Sequence, residues 1–234
     1  MSHRLRSMIP FIRYNAGNVF AGKFIYFLLL AILVFMISVV VHAFNVELPP
    51  GPADIYFFLL APGVLLVFYP SSYAVQADAD AGMLETLFGI PDYRYKVWLV
   101  RHLVQQLVVA LLLFLLALFC QYAMADFPLW RMVFHLLFPI LFLSSLAFAL
   151  ASLTRSGNAS AVVLVVLSLF FLILAEPLRD SAWNLYHNPF IQIDQLTALT
   201  WGETTFYNRV YLLVGSILTT LMGLLRLQQR EKFV

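Results

Sequence analysis

Phe24-Ile-Tyr-Phe-Leu-Leu-Leu-Ala-Ile-Leu-Val-Phe-Met-Ile-Ser-Val-Val-Val-His-Ala-Phe44 contains no Asp, Glu, Lys or Arg. A helix needs roughly 20 apolar residues to cross the hydrocarbon core of a bilayer, and this run supplies them. Five further apolar stretches follow at 55–75, 97–124, 132–153, 161–175 and 210–225. They are continuous and Leu-rich rather than alternating, which is the pattern of helices in lipid and not of barrel strands. The chain as a whole agrees: of 234 residues, 62% are hydrophobic and 11% charged, with a mean hydropathy of +0.89. Soluble domains average about half apolar and about a quarter charged, so most of this surface is expected to face lipid. The expected fold is all-α, a polytopic membrane protein with six transmembrane helices in one domain over 1–234.

Lys and Arg placement sets an expected orientation. With the N-terminus in the cytoplasm, the inner side receives Arg4, Arg6, Arg13, Lys23, Arg94, Lys96, Arg101, Arg155, Arg226, Arg230 and Lys232, and the outer side only Arg131, Arg179 and Arg209. Both termini are then cytoplasmic. Val41-His42-Ala43 loosely resembles a signal-peptide cleavage site, but the apolar run before it exceeds an h-region of about 7–15 residues, so the first helix is expected to remain as a span. A net charge of +2 gives no support to a nucleic-acid partner. The lone Cys120 excludes an internal disulfide and a Cys-rich metal site, and reads as a packing residue.

Three segments do not span. Over 3–20, Met8, Ile9, Ile12, Ala16, Val19 and Phe20 recur at helical spacing opposite Arg6, Arg13, Asn15 and Asn18. This suits an amphipathic interfacial helix, the alternative being a basic leader that only sets topology. Over 78–90, Asp78 and Asp80 favour a helix N-terminus, and Gly89 and Pro91 end it. That short helix carries Met83, Leu84, Leu87 and Phe88 around Glu85, and serves either as a docking knob for a cytosolic partner or as a plain connector. Finally, 176–209 is long for a connection in a compact bundle and rich in apolar and aromatic residues, including Trp183, Tyr186, Phe190, Trp201 and Phe206. It is expected to form an outer re-entrant hairpin of two short helices turning near His187-Asn188-Pro189.

Together these pieces resemble the ABC type 2 permeases, the membrane subunits of ABC exporters with the type V fold. The local match is Gly82-Met-Leu-Glu85-Thr-Leu87-Phe-Gly-Ile-Pro91 followed by Arg94 and Lys96. It is similar to the family's Gly-Thr-x-Glu-x-Leu-x-x-x-Pro stretch, the coupling helix that docks on the ATPase. Met83 stands where the family often has Thr, and Asp78 and Asp80 precede it where a mixed-charge pair is common. The turn Leu153-Thr-Arg155-Ser-Gly157-Asn158 is also similar to the family's fourth-to-fifth connection. The resemblance implies a cytosolic ABC ATPase as partner, with ATP and Mg bound there and no cofactor in this chain. It also implies a second permease copy or homologous permease, both embedded among membrane lipids. It implies ATPase coupling through Asp78, Asp80, Gly82, Met83, Leu84, Glu85, Leu87, Phe88 and Pro91, and makes Pro62, Gly63 and Ser168 candidates for lining a path. The bacterial inner membrane is the expected location.

The residues themselves nominate no catalysis. No G-x-x-x-x-G-K-S/T phosphate loop and no H-E-x-x-H pair occurs, and His3, His42, His102, His135 and His187 are scattered. His42, His135, Glu176, Arg101 and His102 lie toward span ends, where they read as interfacial or snorkelling groups rather than a proton relay. Gly215, Thr219 and Gly223 recur every four residues and suit a helix-packing seam. Pro62-Gly63 and Pro139 are expected to kink the second and fourth spans. The leading expectation is a permease that exports an amphipathic or lipid-like substrate. A non-transporting assembly subunit and an ion-coupled carrier are the alternatives.

Overall fold

A computed structural model describes residues 23–45, 49–80, 82, 94–191 and 198–227. The expected interfacial helix at 3–20 and the heart of the expected coupling helix, 83–91, lie outside the described residues. The helices are α1 (Phe24–Asn45), α2 (Pro52–Asp80), α3 (Val100–Ala123, entered through a π-helical turn Arg94–Leu99), α4 (Leu129–Thr154), α5 (Gly157–Ile173) and α6 (Ala198–Arg226). No strand occurs among the described residues. Five helices are long and apolar enough to cross a membrane, α3 counting from Val97, while α5 has 17 residues. At 1.5 Å per residue α5 is about 26 Å long, just under the ~30 Å hydrocarbon thickness.

The exposed surface identifies the solvent. On α3, Leu107, Leu111, Leu115 and Phe119 form a row that is 70, 60, 52 and 54% exposed. The opposite face of the same helix, Val109, Leu113, Ala117 and Cys120, is fully buried. Both faces are apolar, so the outer one is covered by lipid rather than water. The chain is a multi-pass membrane protein. Cys120 belongs to the main core.

α2 and α4 are the central pair. α1, α3 and α5 pack on α2, while α3, α5 and α6 pack on α4. Gly63 permits the central crossing: a Cβ there would collide with Ile140 and crowd Leu113. Pro62 and Gly63 are accordingly buried inside the chain. α6 rests on α4 through its small residues. A Cβ on Gly215 would stand 2.8 Å from Phe142, and one on Gly223 2.7 Å from Phe148. Thr219 returns its hydroxyl to the Gly215 carbonyl at 2.8 Å, which hides its polarity within α6.

Sequential helices alternate in direction, so the bundle has two ends, named here the hairpin end (α5–α6 connection) and the base (α4–α5 turn). The base turn is tight because Arg155 adopts φ 57°, in the left-handed region, and Ser156 caps α5 by accepting from the Ala159 N–H at 3.3 Å. Two bonds fasten it to α2: Tyr73 OH donates to Asn158 Oδ1 at 2.7 Å, and Gly157 N–H to Gln76 Oε1 at 2.6 Å.

Three boundaries depart from the sequence expectation. α2 runs to Asp80, so Asp78 and Asp80 close a spanning helix instead of opening a coupling helix. Carboxylates oppose the dipole at a helix C-terminus, and for Asp78 an arginine from α3 compensates, as described below. Gly82, at φ +63°, lies just beyond the helix end, and its N–H bonds to the Ala79 carbonyl at 3.0 Å. The last helix begins at Ala198 rather than 210. Its first turns are too polar to register as a span, yet they are helical. Residues 174–190 form a succession of turns with no helix, so the expected hairpin of two short helices is instead a turn-rich arm against the start of α6. α2 and α4 also continue as helices through Pro62, Pro70 and Pro139.

Replacing Gly223 by Leu is expected to lower stability by about 1–3 kcal/mol through overpacking against Phe148. The comparison is Gly202→Ala, at an exposed α6 position with open space, which should be neutral or slightly stabilising. Thermal unfolding of both variants in detergent checks the contrast.

Candidate functional site

Arg209 is 5% exposed and lies where α2, α4, α6 and the arm converge. Its Nη1 donates to Asn208 Oδ1 at 2.7 Å, and its Nη2 to the His187 carbonyl at 3.1 Å and the Tyr56 hydroxyl at 3.4 Å. Nε donates to His135 Nδ1 at 3.3 Å, so the His135 ring proton resides on Nε2 while that bond is made. The guanidinium also sits 5.8 Å from the Phe138 ring centre. Every one of these partners is neutral. Among the described residues no carboxylate pairs with Arg209.

Asparagines hold the arm in place. Asn208 donates to the Ala182 and Asn184 carbonyls at 2.9 and 2.8 Å, and Asn188 to the Ala53 carbonyl at the start of α2, at 2.9 Å. The side chains of Asn184 and Asn188 each accept from a backbone N–H two residues on, that of Tyr186 and that of Phe190, both at 3.0 Å. These Asx turns let a non-helical arm satisfy its own backbone. Tyr186 OH reaches the Ser168 carbonyl at 3.3 Å, so Ser168 meets the arm through its backbone. Burial raises the Tyr186 pKa, partly offset by that bond. His187 hydrogen-bonds Thr205 through Nε2 at 2.8 Å and packs on Trp201 at 4.5 Å between ring centres. Its pKa is lowered to about 4, first by burial and then by the positive Arg209 and by His135, with the Arg179 backbone opposing.

Beside Arg209 a cavity of about 560 Å³ opens between α4 and α6. Arg131, His135, Thr205 and Arg209 supply its polar wall, and most of the remaining lining is aromatic or aliphatic, Phe134, Phe138, Trp201, Phe206, Val210 and Leu213 among it. The volume falls in the range of about 300–1,000 Å³ usual for small-ligand sites.

The base has a second polar assembly. Arg101 and Asp78 form an ion pair at 2.6 Å, with Arg101 stacked 5.1 Å from the Trp98 ring centre. One turn deeper, Gln105 donates to Ser71 and to Ser144, the latter at 3.2 Å, and the two serine hydroxyls are 2.8 Å apart. His102 and Ser145 meet at 3.2 Å. These contacts tie α2, α3 and α4 together just before the chain enters 83–91. Asp80 accepts from Gln76 at 3.4 Å and so stays on α2.

No family model, curated protein or solved structure matches the chain.

Of the residues nominated from sequence for coupling, Asp78, Asp80 and Gly82 gather at the end of α2, while Met83, Leu84, Glu85, Leu87, Phe88 and Pro91 lie outside the described residues. Pro62 and Gly63 pack within the chain. Arg101 and His102, 8 and 6% exposed, are packed against neighbouring helices, Arg101 on Asp78 and His102 on Ser145. Among the described residues no group of three or more His, Cys, Asp or Glu is placed to hold a metal. Sequence reasoning missed Arg209 as a buried centre. The available signal was the spacing of Thr205, Asn208 and Arg209, which puts three polar groups on one face of a helix that turns apolar immediately afterwards.

Two outcomes are expected. The unfolded chain takes up a proton at His187 near pH 6.5 and the folded chain only near 4, so stability falls as pH drops through that interval. Thermal midpoints measured against pH should show a shallower fall in His187→Gln. At the base, Asp78→Asn and Arg101→Gln should each destabilise by about 1–3 kcal/mol, between values for exposed and buried pairs. The double variant should cost less than the sum of the two in a thermal double-mutant cycle.

Proposed function

We propose that the chain is the membrane-spanning subunit of an ATP-driven exporter, working with a separate cytosolic ATPase and a second copy or homologous permease. The observation that carries this is the Gly82–Pro91 stretch and where the chain delivers it. α2 and α3 are locked together by Asp78, four residues before Gly82, and Arg101, ten residues after Pro91. A partner that pushed on 82–91 would thus move two helices as a unit, one of them a member of the central pair.

In this proposal the base faces the cytoplasm and the hairpin end the opposite side, as the Lys and Arg distribution favours. ATP and Mg belong to the partner, since the sequence carries no phosphate loop. The chain's own contribution is mechanical: the ion pair and the Gln105, Ser71 and Ser144 cluster transmit displacement at the base toward the α2–α4 crossing at Gly63. An amphipathic or lipid-like substrate fits a bundle whose flanks are apolar and aromatic.

The complex with its ATPase should hydrolyse ATP, and Glu85→Lys should abolish co-purification or cut turnover by at least about tenfold, the loss expected where a charge is set against a docking surface. Normal assembly and normal ATP-dependent transport by Glu85→Lys in inverted vesicles would reject the coupling role. A complex that forms but moves no amphiphile under ATP would assign the chain to assembly instead.

A further inference from the structure

We propose that the cavity between α4 and α6 at the hairpin end binds the anionic head of an amphiphile, its phosphate or carboxylate meeting Arg209 and Arg131 and its chain lying along Phe134, Phe206, Val210 and Leu213. The inference does not rest on coupling to an ATPase.

The first support is a buried charge that has no carboxylate partner among the described residues. A guanidinium has five N–H donors. Nε of Arg209 uses one, Nη1 one and Nη2 two, all on neutral acceptors. That leaves an Nη1 donor and a full positive charge with no carboxylate among the described residues. A buried cation without a counter-ion is costly, and an anion in the adjoining cavity offsets that cost. Arg131 adds a second cation at the exposed rim of the same cavity.

The second support is shape and location. Beyond its arginines and His135 the cavity is walled mainly by aromatic and aliphatic side chains. Phe206, Val210 and Leu213 line it while remaining 64, 36 and 43% exposed on the flank of α6. Its mouth is therefore on the apolar side of the bundle, where an acyl chain can enter sideways. A small soluble anion would use only the cationic part of this space. An amphiphile uses all of it, with head near the end of the bundle and chain toward its middle, as a lipid stands in one leaflet.

The test uses the full chain in an uncharged detergent, titrated with phosphatidylglycerol, with phosphatidylcholine of the same acyl chains, and with inorganic phosphate. Bound lipid is read by native mass spectrometry and stabilisation by thermal midpoint. Phosphatidylglycerol should bind at least about tenfold more tightly than phosphatidylcholine, a modest difference for one net charge at a partly buried cation. Arg131→Gln, at an exposed position outside the arm's hydrogen bonds, should weaken phosphatidylglycerol about threefold to fivefold, the worth of a rim charge. Leu213→Trp should weaken it by about tenfold or more by filling the mouth without touching either arginine. Both variants should retain the wild-type midpoint without lipid. Equal binding of the two lipids, or unchanged phosphatidylglycerol binding in both variants, would overturn the proposal. Inorganic phosphate stabilising the chain as strongly as phosphatidylglycerol at equal concentration would overturn its amphiphile part and assign the site to a free anion.

Discussion

Lipid offers no hydrogen bonds, so a polar group carried into this bundle gains most from a partner inside it. That constraint explains why the polar side chains are not spread along the helices. They gather in two layers, one at each end, and the space between is Leu, Phe, Val and Gly packed around α2 and α4. Arg209 shows the constraint most clearly. Its guanidinium engages α2 through Tyr56, α4 through His135 and the arm through His187, and the arm's unusual backbone is tolerable because asparagines complete its bonds.

The two layers differ in electrostatic balance. At the base the cation Arg101 meets the carboxylate Asp78, and the neighbouring Gln105, Ser71 and Ser144 satisfy one another. Such cross-links stiffen the helices they join. At the hairpin end Arg209 meets neutral acceptors, with no carboxylate partner among the described residues, and borders the cavity. Such a set is mechanically firm but electrically unfinished. A rigid base suits the transmission of movement, and an unfinished cationic wall beside an apolar mouth suits recognition of an amphiphile's head.

Burial of the small residues has a similar division. Gly63 and the pair Gly215 and Gly223 do the same work at two crossings, letting helices approach until the ring of Phe142, the ring of Phe148 or the side chain of Ile140 fills the gap. In a membrane, where apolar side chains gain little by leaving lipid, such close packing is the main source of helix association. Gly63 sits at the central crossing, where α2 passes α4 against Ile140.

Much of the architecture was legible in residue order. The apolar runs located the helices, because length and hydropathy are what a bilayer selects, and the four-residue spacing of Gly215, Thr219 and Gly223 marked a packing face. Three things were not legible. The polar first turns of α6 read as part of a loop, since a hydropathy pattern cannot distinguish a helix whose polar face meets protein from a segment that is not helical. Asp78 and Asp80 read as a helix start by local preference, whereas they end α2, where Arg101 from the next helix pairs with Asp78. Arg209 read as one more outer-side cation. The sequence by itself determined that this chain lives in lipid and roughly where it crosses. Only the tertiary structure decided which of its charges are paired, because pairing depends on side chains that fold together from helices distant in the chain.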